Sequence, residues 1–354
     1  MKKLLAVIII ILFICMSFNS ISGIQIENNP VISFNRGNTL YVGGNGTGNY
    51  SKIQDAVDNA SDGDTVFVYD DSSPYNEWDI RINKSISLIG EDKNTTIIKG
   101  NSNYIIIPIS SCVISGFSIT NGFYGIYPYL DSGEHIIISD NHFINCVFAI
   151  RLCFLSGDFD SNIISNSFKE CQVAISSDVS GICIISNNII ISSDYSYDGT
   201  GDLDCYWGNY VITNNTFICD DTGDWRTAIR LGFVTDSIIE GNEFTGYDYD
   251  AIYLDEESYT NIITHNNFIN NSEGIYIKGE SHSNKIINNN FIDNKRDVYI
   301  RFPSYKYNLL DGNYWDKWIG NKIKLPIFQR FPMVIFGFFS FGIDWHPAKE
   351  PYDI

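Results

Sequence analysis

Short apolar runs alternate with polar residues along most of this chain, and the pattern returns about every two dozen residues. In each copy an apolar marker, usually phenylalanine, follows an asparagine by two positions and an isoleucine by five. The markers are Phe117, Phe143, Phe168, Ile189, Phe217, Phe244, Phe268, Phe291 and Trp315. The residues two positions before these markers are Ser115, Asn141, Asn166, Asn187, Asn215, Asn242, Asn266, Asn289 and Asn313. Columns that agree over so many copies indicate a repeat architecture.

The local chemistry of each copy predicts strands. The apolar runs are short and β-branched, and Asn, Gly, Asp and Ser interrupt them, whereas no copy has the longer 3.6-residue period of a helix. Three short strands per coil, with coils stacked about 4.8 Å apart, give an all-β parallel β-helix. Equivalent side chains then stack in columns, and stacked asparagines can hydrogen-bond from coil to coil.

The repeat "I-x-x-N-x-F…[GA]-I-x-[LI]" resembles that of the pectin-lyase-like superfamily, and most closely that of NosD-like, carbohydrate-associated secreted solenoids. The resemblance covers Asp64 to Trp318 and includes the closing "GNYWDKW" from Gly312. It implies a right-handed parallel β-helix, for which we expect roughly ten to twelve coils. Its motif is informative about fold rather than function, because this superfamily includes lyases, hydrolases, epimerases and adhesins.

The N-terminus has the pattern of an export signal. Two lysines, an apolar run and small polar residues predict a signal peptide over 1–23, cleaved near Ser22 or Gly23, with an uncleaved anchor as the alternative. The mature protein is therefore expected to be secreted or at the cell surface.

The remaining segments divide around the repeat. Residues 24–63 form a lead and a short capping helix, for which Ser51 and Gln54 suggest a capping box. The repeat domain occupies 64–318, and the apolar segment 319–354 is predicted to cap the last coil, because a solenoid must cover its open ends. Membrane or protein docking through 325–345 is the alternative for that segment.

Charge narrows the choice of partner. The formal net charge of −19 disfavours nucleic acid, anionic membranes and acidic polymers, and it fits a soluble surface or extracellular protein. The expected partner is a polysaccharide or glycoprotein surface. The oligomeric state stays open. Among the seven cysteines after the signal, Cys146 and Cys171 should stack on adjacent coils as buried thiols or as a disulfide.

Metal binding has little support in the sequence. Calcium at Asp198, Asp202 and Asp204 is a weak candidate, because the acidic loop matches no known spacing. The NosD resemblance suggests copper, but Met333 is the one methionine after the signal, and the five histidines are scattered: His135, His142, His265, His282 and His346. No cofactor is therefore predicted.

The second strand of each coil presents a face that suits sugar binding. Alternation places Ile126, Ile150, Ile175, Ile229, Ile252, Ile275 and Val298 inward. The next residue in each strand points outward, and so does the residue two places further along. Nine of these outward residues form the predicted ligand-binding strip: Tyr127, Arg151, Arg230, Tyr253, Asp255, Tyr276, Lys278, Tyr299 and Arg301. Tyrosine rings can cover sugar faces while Arg and Lys hydrogen-bond their oxygens, although stacked tyrosines also suit ordinary sheet packing.

Two carboxylates allow an enzymatic alternative. Asp250 and Glu273 occupy equivalent positions on adjacent coils, about 5 Å apart, and a hydrolase or lyase needs such an acid/base pair. "DYDAIYL" is faintly similar to the "DDCIAI" motif of polygalacturonases, with Asp250 at the second aspartate but Tyr249 at the first. The other polygalacturonase motifs are absent from the sequence. The competing interpretation is a pair of turn carboxylates on a solvated corner, and the sequence favours a binding or structural module over an enzyme.

Overall fold

The repeats fold into a parallel β-solenoid with three strands per coil. The structure is a computed structural model that describes residues 37–101, 103–152, 159–178, 181–192, 200–220, 225–255, 257–301, 307–322, 332–337 and 340–354. The signal-peptide prediction lies outside these residues. Two of its three sheets each contain ten strands among the described residues. The predicted all-β parallel solenoid is therefore confirmed, with about ten turns, at the lower end of the predicted ten to twelve.

Each sheet takes one strand from successive coils, and within the solenoid these strands pair in parallel. Sheet A has the strands Thr39–Val42, Thr65–Val68, Ser87–Gly90, Cys112–Ser115, His135–Ser139, Asp160–Ile164, Ile182–Ser186, Asn209–Thr213, Ile238–Glu240, Ile262–Thr264, Lys285–Ile287, Leu309–Asp311, Ser340–Asp344 and Met333–Gly337. Sheet B has the strands Ile97–Lys99, Ser118–Thr120, His142–Ile144, Ser167–Cys171, Ile189–Ser192, Thr216–Ile218, Glu243–Thr245, Asn267–Ile269, Asn290–Ile292 and Tyr314–Trp315. Sheet C has the strands Ile80–Ile82, Tyr104–Pro108, Tyr124–Ile126, Phe148–Leu152, Val173–Ser177, Gly201–Tyr206, Thr227–Gly232, Asp250–Leu254, Glu273–Ile277 and Arg296–Ile300.

The predicted helix is Ile53–Asn59, but its cap differs from the prediction. Lys52 occupies the N-cap position and makes no side-chain cap hydrogen bond. Instead, the carboxylate of Glu77 accepts hydrogen bonds from the backbone amides of Ile53 at 2.8 Å and Gln54 at 3.2 Å. A carboxylate from a later part of the chain therefore satisfies the free amides of this helix end. A second short helix is Ile319–Lys322.

The marker residues stack through the core of sheet B. The rings of Phe244 and Phe268 lie 5.1 Å apart with an interplanar angle of 8°. The full buried column is Ile98, Ile119, Phe143, Phe168, Ile190, Phe217, Phe244, Phe268, Phe291 and Trp315. Two predicted markers were wrong, by two residues and by one: the column contains Ile119 instead of Phe117 and Ile190 instead of Ile189.

Asparagines form a continuous hydrogen-bonded ladder at the bend that precedes sheet B. Each side-chain oxygen accepts the backbone amide of the previous rung, as Asn266 does from Asn242 at 2.9 Å. The rungs are Asn141, Asn166, Asn188, Asn215, Asn242, Asn266, Asn289 and Asn313. Asn188 replaces the predicted Asn187, in line with the shifted marker, and the backbone amide of Phe117 donates to Asn141 where Ser115 was expected.

The carboxylate of Asp344 ends this ladder. It accepts hydrogen bonds from the backbone amide of Asn313 at 2.9 Å and from the indole N–H of Trp315 at 2.9 Å. Its strand, Ser340–Asp344, pairs in parallel with Leu309–Asp311 and antiparallel with Met333–Gly337. Residues 323–331 and 338–339, which belong to the apolar C-terminal segment, lie outside the described residues. No helix in the described part of the chain is long and apolar enough to cross a membrane.

Two cysteines lie where the chain leaves sheet B. Cys146 and Cys171 are free, buried thiols on adjacent coils. The sulfur of Cys171 lies 3.6 Å from the carbonyl oxygen of Phe143, and the amide of Asn271 makes the equivalent contact with Phe244 at 3.0 Å. The thiols therefore stand where asparagine stands in later coils, and this supports their interpretation as a buried thiol ladder.

Candidate functional site

The predicted strip lies on the outer side of sheet C and keeps its order from coil to coil. Arg230, Tyr253, Tyr276 and Tyr299 are successive register partners. Between Ser176 and Arg230 the register places Asp204, from a coil whose second strand was not assigned in the sequence. The strip is thus one coil longer than the repeat pattern predicts.

Three tyrosines form the aromatic part of this face. The ring centroids of Tyr253 and Tyr276 lie 5.0 Å apart, with the rings nearly perpendicular, and those of Tyr276 and Tyr299 lie 5.3 Å apart. All three side chains are partly exposed. A guanidinium N–H of Arg301 donates a hydrogen bond to the hydroxyl of Tyr276 at 3.5 Å, and Arg296 lies over the ring of Tyr299. The arrangement offers partly exposed rings beside hydrogen-bond donors.

The middle of the strip is held together by ion pairs. The Asp255 carboxylate binds the guanidinium of Arg230 and, at 2.8 Å, the ammonium group of Lys278. Arg230 also lies over the rings of Tyr206 and Tyr253, at 5.4 and 5.8 Å from their centroids. Because Asp255 itself is buried, it serves mainly to position these two cations.

The end of the strip nearer the N-terminus is less open than the alternation predicts. Tyr127 is only 7 % exposed, because the rings of Tyr104 and Tyr124 pack against it at 5.1 and 4.8 Å. Ser176 is also buried, and Arg151 bonds both to its hydroxyl and, at 2.9 Å, to the carboxylate of Asp178. Tyr127 and Ser176 are therefore covered despite their predicted outward direction, and Arg151 is partly exposed but paired.

The two candidate catalytic carboxyls are register partners, and both are buried. Asp250 is fully enclosed, and Glu273 forms an ion pair with Arg296. Among the described residues, neither oxygen of Asp250 nor the second oxygen of Glu273 has a hydrogen-bond partner. Burial raises the pKa of Asp250 to about 8, although the charge of Arg296 opposes this shift. The solvated-corner interpretation of the pair is therefore wrong, and Asp250 is mainly protonated at neutral pH.

The calcium candidates have separate roles. The carboxylate of Asp202 is buried and bonds to Arg226, to Ser192 and, at 2.7 Å, to the hydroxyl of Tyr247. Asp204 instead lies beside Arg230 in the strip, and burial raises its pKa to about 6. Asp198 lies outside the described residues. Asp202 and Asp204 thus have different partners and do not supply a shared cluster of free oxygens.

Soft metal ligands are likewise not gathered. No group of three or more His, Cys, Asp or Glu side chains within the described ranges is placed to hold a metal ion. Cys146 and Cys171 are engaged with backbone carbonyls, and His346 contacts Asp311 at 2.7 Å.

Two exposed aromatic residues beside the strip were not predicted. Trp225 and Tyr249 lie at the bend that leads into sheet C, with ring centroids 5.4 Å apart. A tryptophan in an otherwise polar turn segment is the sequence signal that could have identified this site.

Comparison with known proteins identifies the family. A search of the curated proteins finds no match. The family model described as "Periplasmic copper-binding protein (NosD)" matches residues 57–201 and 205–320. These segments cover most of the chain and nearly all of the solenoid, in agreement with the NosD-like resemblance of the repeats. This protein therefore belongs to the NosD family of parallel β-helix proteins.

Proposed function

We propose that this protein is a glycan-binding module that acts outside the cytoplasm, with Tyr253, Tyr276 and Tyr299 as its principal contacts. The observation that carries this proposal is the set of three adjacent, partly exposed rings on one outer sheet face. Flat aromatic rings can cover the apolar faces of pyranoses, and charged donors beside them can bind hydroxyl groups. Surface aromatics of this kind also mark binding sites more generally.

The location rests on two supports. The first 23 residues have the composition of an export signal, and the family is described as periplasmic. An export route would bring the strip into contact with cell-envelope or extracellular polysaccharides and glycoproteins.

Copper, which the family description names, does not fit the described residues. Copper(I) prefers grouped thiolate or thioether ligands and copper(II) grouped imidazoles. Here the paired thiols of Cys146 and Cys171 are enclosed and hydrogen-bonded to carbonyls, and the described histidines do not converge with other ligands. The proposed function therefore assigns no role to copper.

The test compares neighbouring residues that point in opposite directions. Tyr253→Ala and Tyr276→Ala each lose ring contacts and should lower the free energy of unfolding by about 1 kcal/mol, and they should weaken glycan binding by about the same amount. Ile252→Ala and Ile275→Ala, one position away in the buried column, should cost about 2–5 kcal/mol of stability. Binding is first surveyed on a glycan array and then measured by calorimetry, and stability is measured by urea unfolding.

Two outcomes would contradict the proposal in different ways. If the tyrosine variants unfold much more easily while the isoleucine variants do not, the assigned directions of these side chains are wrong. If the tyrosine variants match the wild type in every binding assay, the strip is ordinary sheet surface.

A hydrolase or lyase that uses Asp250 and Glu273 is the second candidate. One observation favours it: the buried carboxyl of Asp250, whose pKa is raised to about 8, lies beside the carboxylate that pairs with Arg296. A general acid must hold its proton near neutral pH. The purified protein is incubated with neutral and acidic polysaccharides, and reducing ends and unsaturated products are measured. Product formation that disappears in Asp250→Asn would support the enzyme; no product from any polysaccharide would exclude these substrates.

A further inference from the structure

Trp225 is an exposed tryptophan held in an unfavourable backbone conformation. Its side chain is 74 % exposed, and its φ of +56° lies in the left-handed region that L-residues rarely adopt. The carboxylate of Asp248, from the next coil, accepts the backbone amides of Trp225 at 3.2 Å and Arg226 at 2.8 Å. A tryptophan this exposed contributes little to the core, so core packing does not explain the residue at this position.

Tyr249 connects Trp225 to the strip. Its ring lies 5.4 Å from that of Trp225. Tyr249 directly precedes the sheet C strand Asp250–Leu254, which carries Tyr253 of the strip. Its backbone carbonyl accepts the amide of Glu273 at 2.8 Å, and Glu273 begins the neighbouring strand that carries Tyr276. The exposed aromatic surface thus turns from the strip towards the bend that precedes sheet C.

Along the solenoid axis, from the strip towards the N-terminal coils, fewer outward side chains are accessible. Beyond Tyr253, Arg230 is bound by Asp255, and further on Ser176 and Tyr127 are buried. An extended ligand that follows the strip towards the N-terminal coils would meet paired or covered side chains. A ligand that crosses the coils towards Trp225 would instead find accessible rings.

We infer that Trp225 and Tyr249 form an additional sugar-binding subsite, so that an uncharged oligosaccharide crosses sheet C from the tyrosines of the strip to this bend. The inference rests on the proposed glycan-binding function and specifies its ligand and path. An uncharged ligand is favoured because Arg230, Lys278 and Arg296 each have a carboxylate partner. Arg301, the remaining cation beside the rings, bonds to the hydroxyl of Tyr276. A protein of net charge −19 also repels polyanions at long range.

Trp207 provides a matched control. It is also an exposed tryptophan with a φ of +56°, but it follows the sheet C strand Gly201–Tyr206, and its ring stacks on Phe233.

Calorimetry is carried out on the full protein with cellohexaose, xylohexaose and mannohexaose as uncharged probes and with polygalacturonate as the acidic probe. Circular dichroism and thermal unfolding verify that each variant is folded.

Trp225→Ala and Tyr249→Ala should each weaken binding of an uncharged hexasaccharide about fivefold. Trp225→Phe should retain most of the affinity, and Trp207→Ala should match the wild type. If Tyr276→Ala weakens binding but Trp225→Ala and Tyr249→Ala do not, the subsite is refuted while the proposed function stands. Tighter binding of polygalacturonate than of any hexasaccharide would overturn the uncharged ligand. If no probe binds, both the proposed function for these glycans and the subsite are refuted.

Discussion

Replacing Asp250 with asparagine should change how stability depends on pH. An aspartate in an unfolded chain has a pKa of about 3.9, whereas burial raises the pKa of Asp250 to about 8 in the folded protein. Between these values the folded state holds a proton that the unfolded state has released. Ionisation of Asp250 therefore does not oppose folding below about pH 4, and the free energy of unfolding falls as the pH rises towards 8. Asparagine is uncharged in both states, so Asp250→Asn removes this dependence.

The size of the effect follows from the two pKa values. The free energy of unfolding changes by about 1.4 kcal/mol per pH unit in this window, so the variant should gain about 4 kcal/mol over the wild type between pH 4 and pH 7. Urea unfolding at intervals from pH 4 to pH 8 measures the free energy of unfolding of both proteins. Their difference at pH 4, where ionisation has little effect, gives the effect of the amide group itself. Asp131→Asn, at an exposed site, is the control and should show a nearly constant difference. Parallel stability curves for Asp250→Asn and the wild type would show that Asp250 is not protonated in the folded state.

Two further predictions concern the polar interior. Asn242→Ala removes a ladder rung that accepts the Asn215 amide at 2.9 Å and donates to a backbone carbonyl, so it should lower the free energy of unfolding by about 3 kcal/mol. The exposed Asn76→Ala should change it by no more than about 0.5 kcal/mol. Equal urea midpoints for the two variants would contradict the ladder. Arg226→Met leaves the buried carboxylate of Asp202 without its cation and should cost about 3–5 kcal/mol. Adding Asp202→Asn should recover much of that loss, and thermal unfolding that shows no recovery would argue against the ion pair.

The phase errors in the repeat show where a sequence pattern loses precision. Ile189, Ile190 and Ile191 are equally apolar, and only the pairing with Phe168 and Phe217 identifies Ile190 as the core residue. In the first copy, Phe117 resembles the later markers, but the strand register aligns Ile119 with Phe143. Adjacent residues of similar character are interchangeable in a sequence, whereas a one-residue shift in a strand exchanges the inner and outer faces.

The repeat pattern of the sequence was sufficient to predict the fold and most members of the stacked columns. In a parallel solenoid, equivalent residues of successive repeats lie directly above one another, so a column in the sequence becomes a column in space. Tertiary structure alone decided which outward residues are accessible and what they contact. Tyr127 and Tyr253 occupy the same column, yet neighbouring rings cover the first while the second stays partly exposed. Likewise Asp250, at the start of its sheet C strand, is enclosed, whereas Trp225, just before the neighbouring sheet C strand, is exposed. Strand alternation sets the direction of a side chain, but its depth depends on neighbouring coils and bends, whose lengths and residues differ from one repeat to the next.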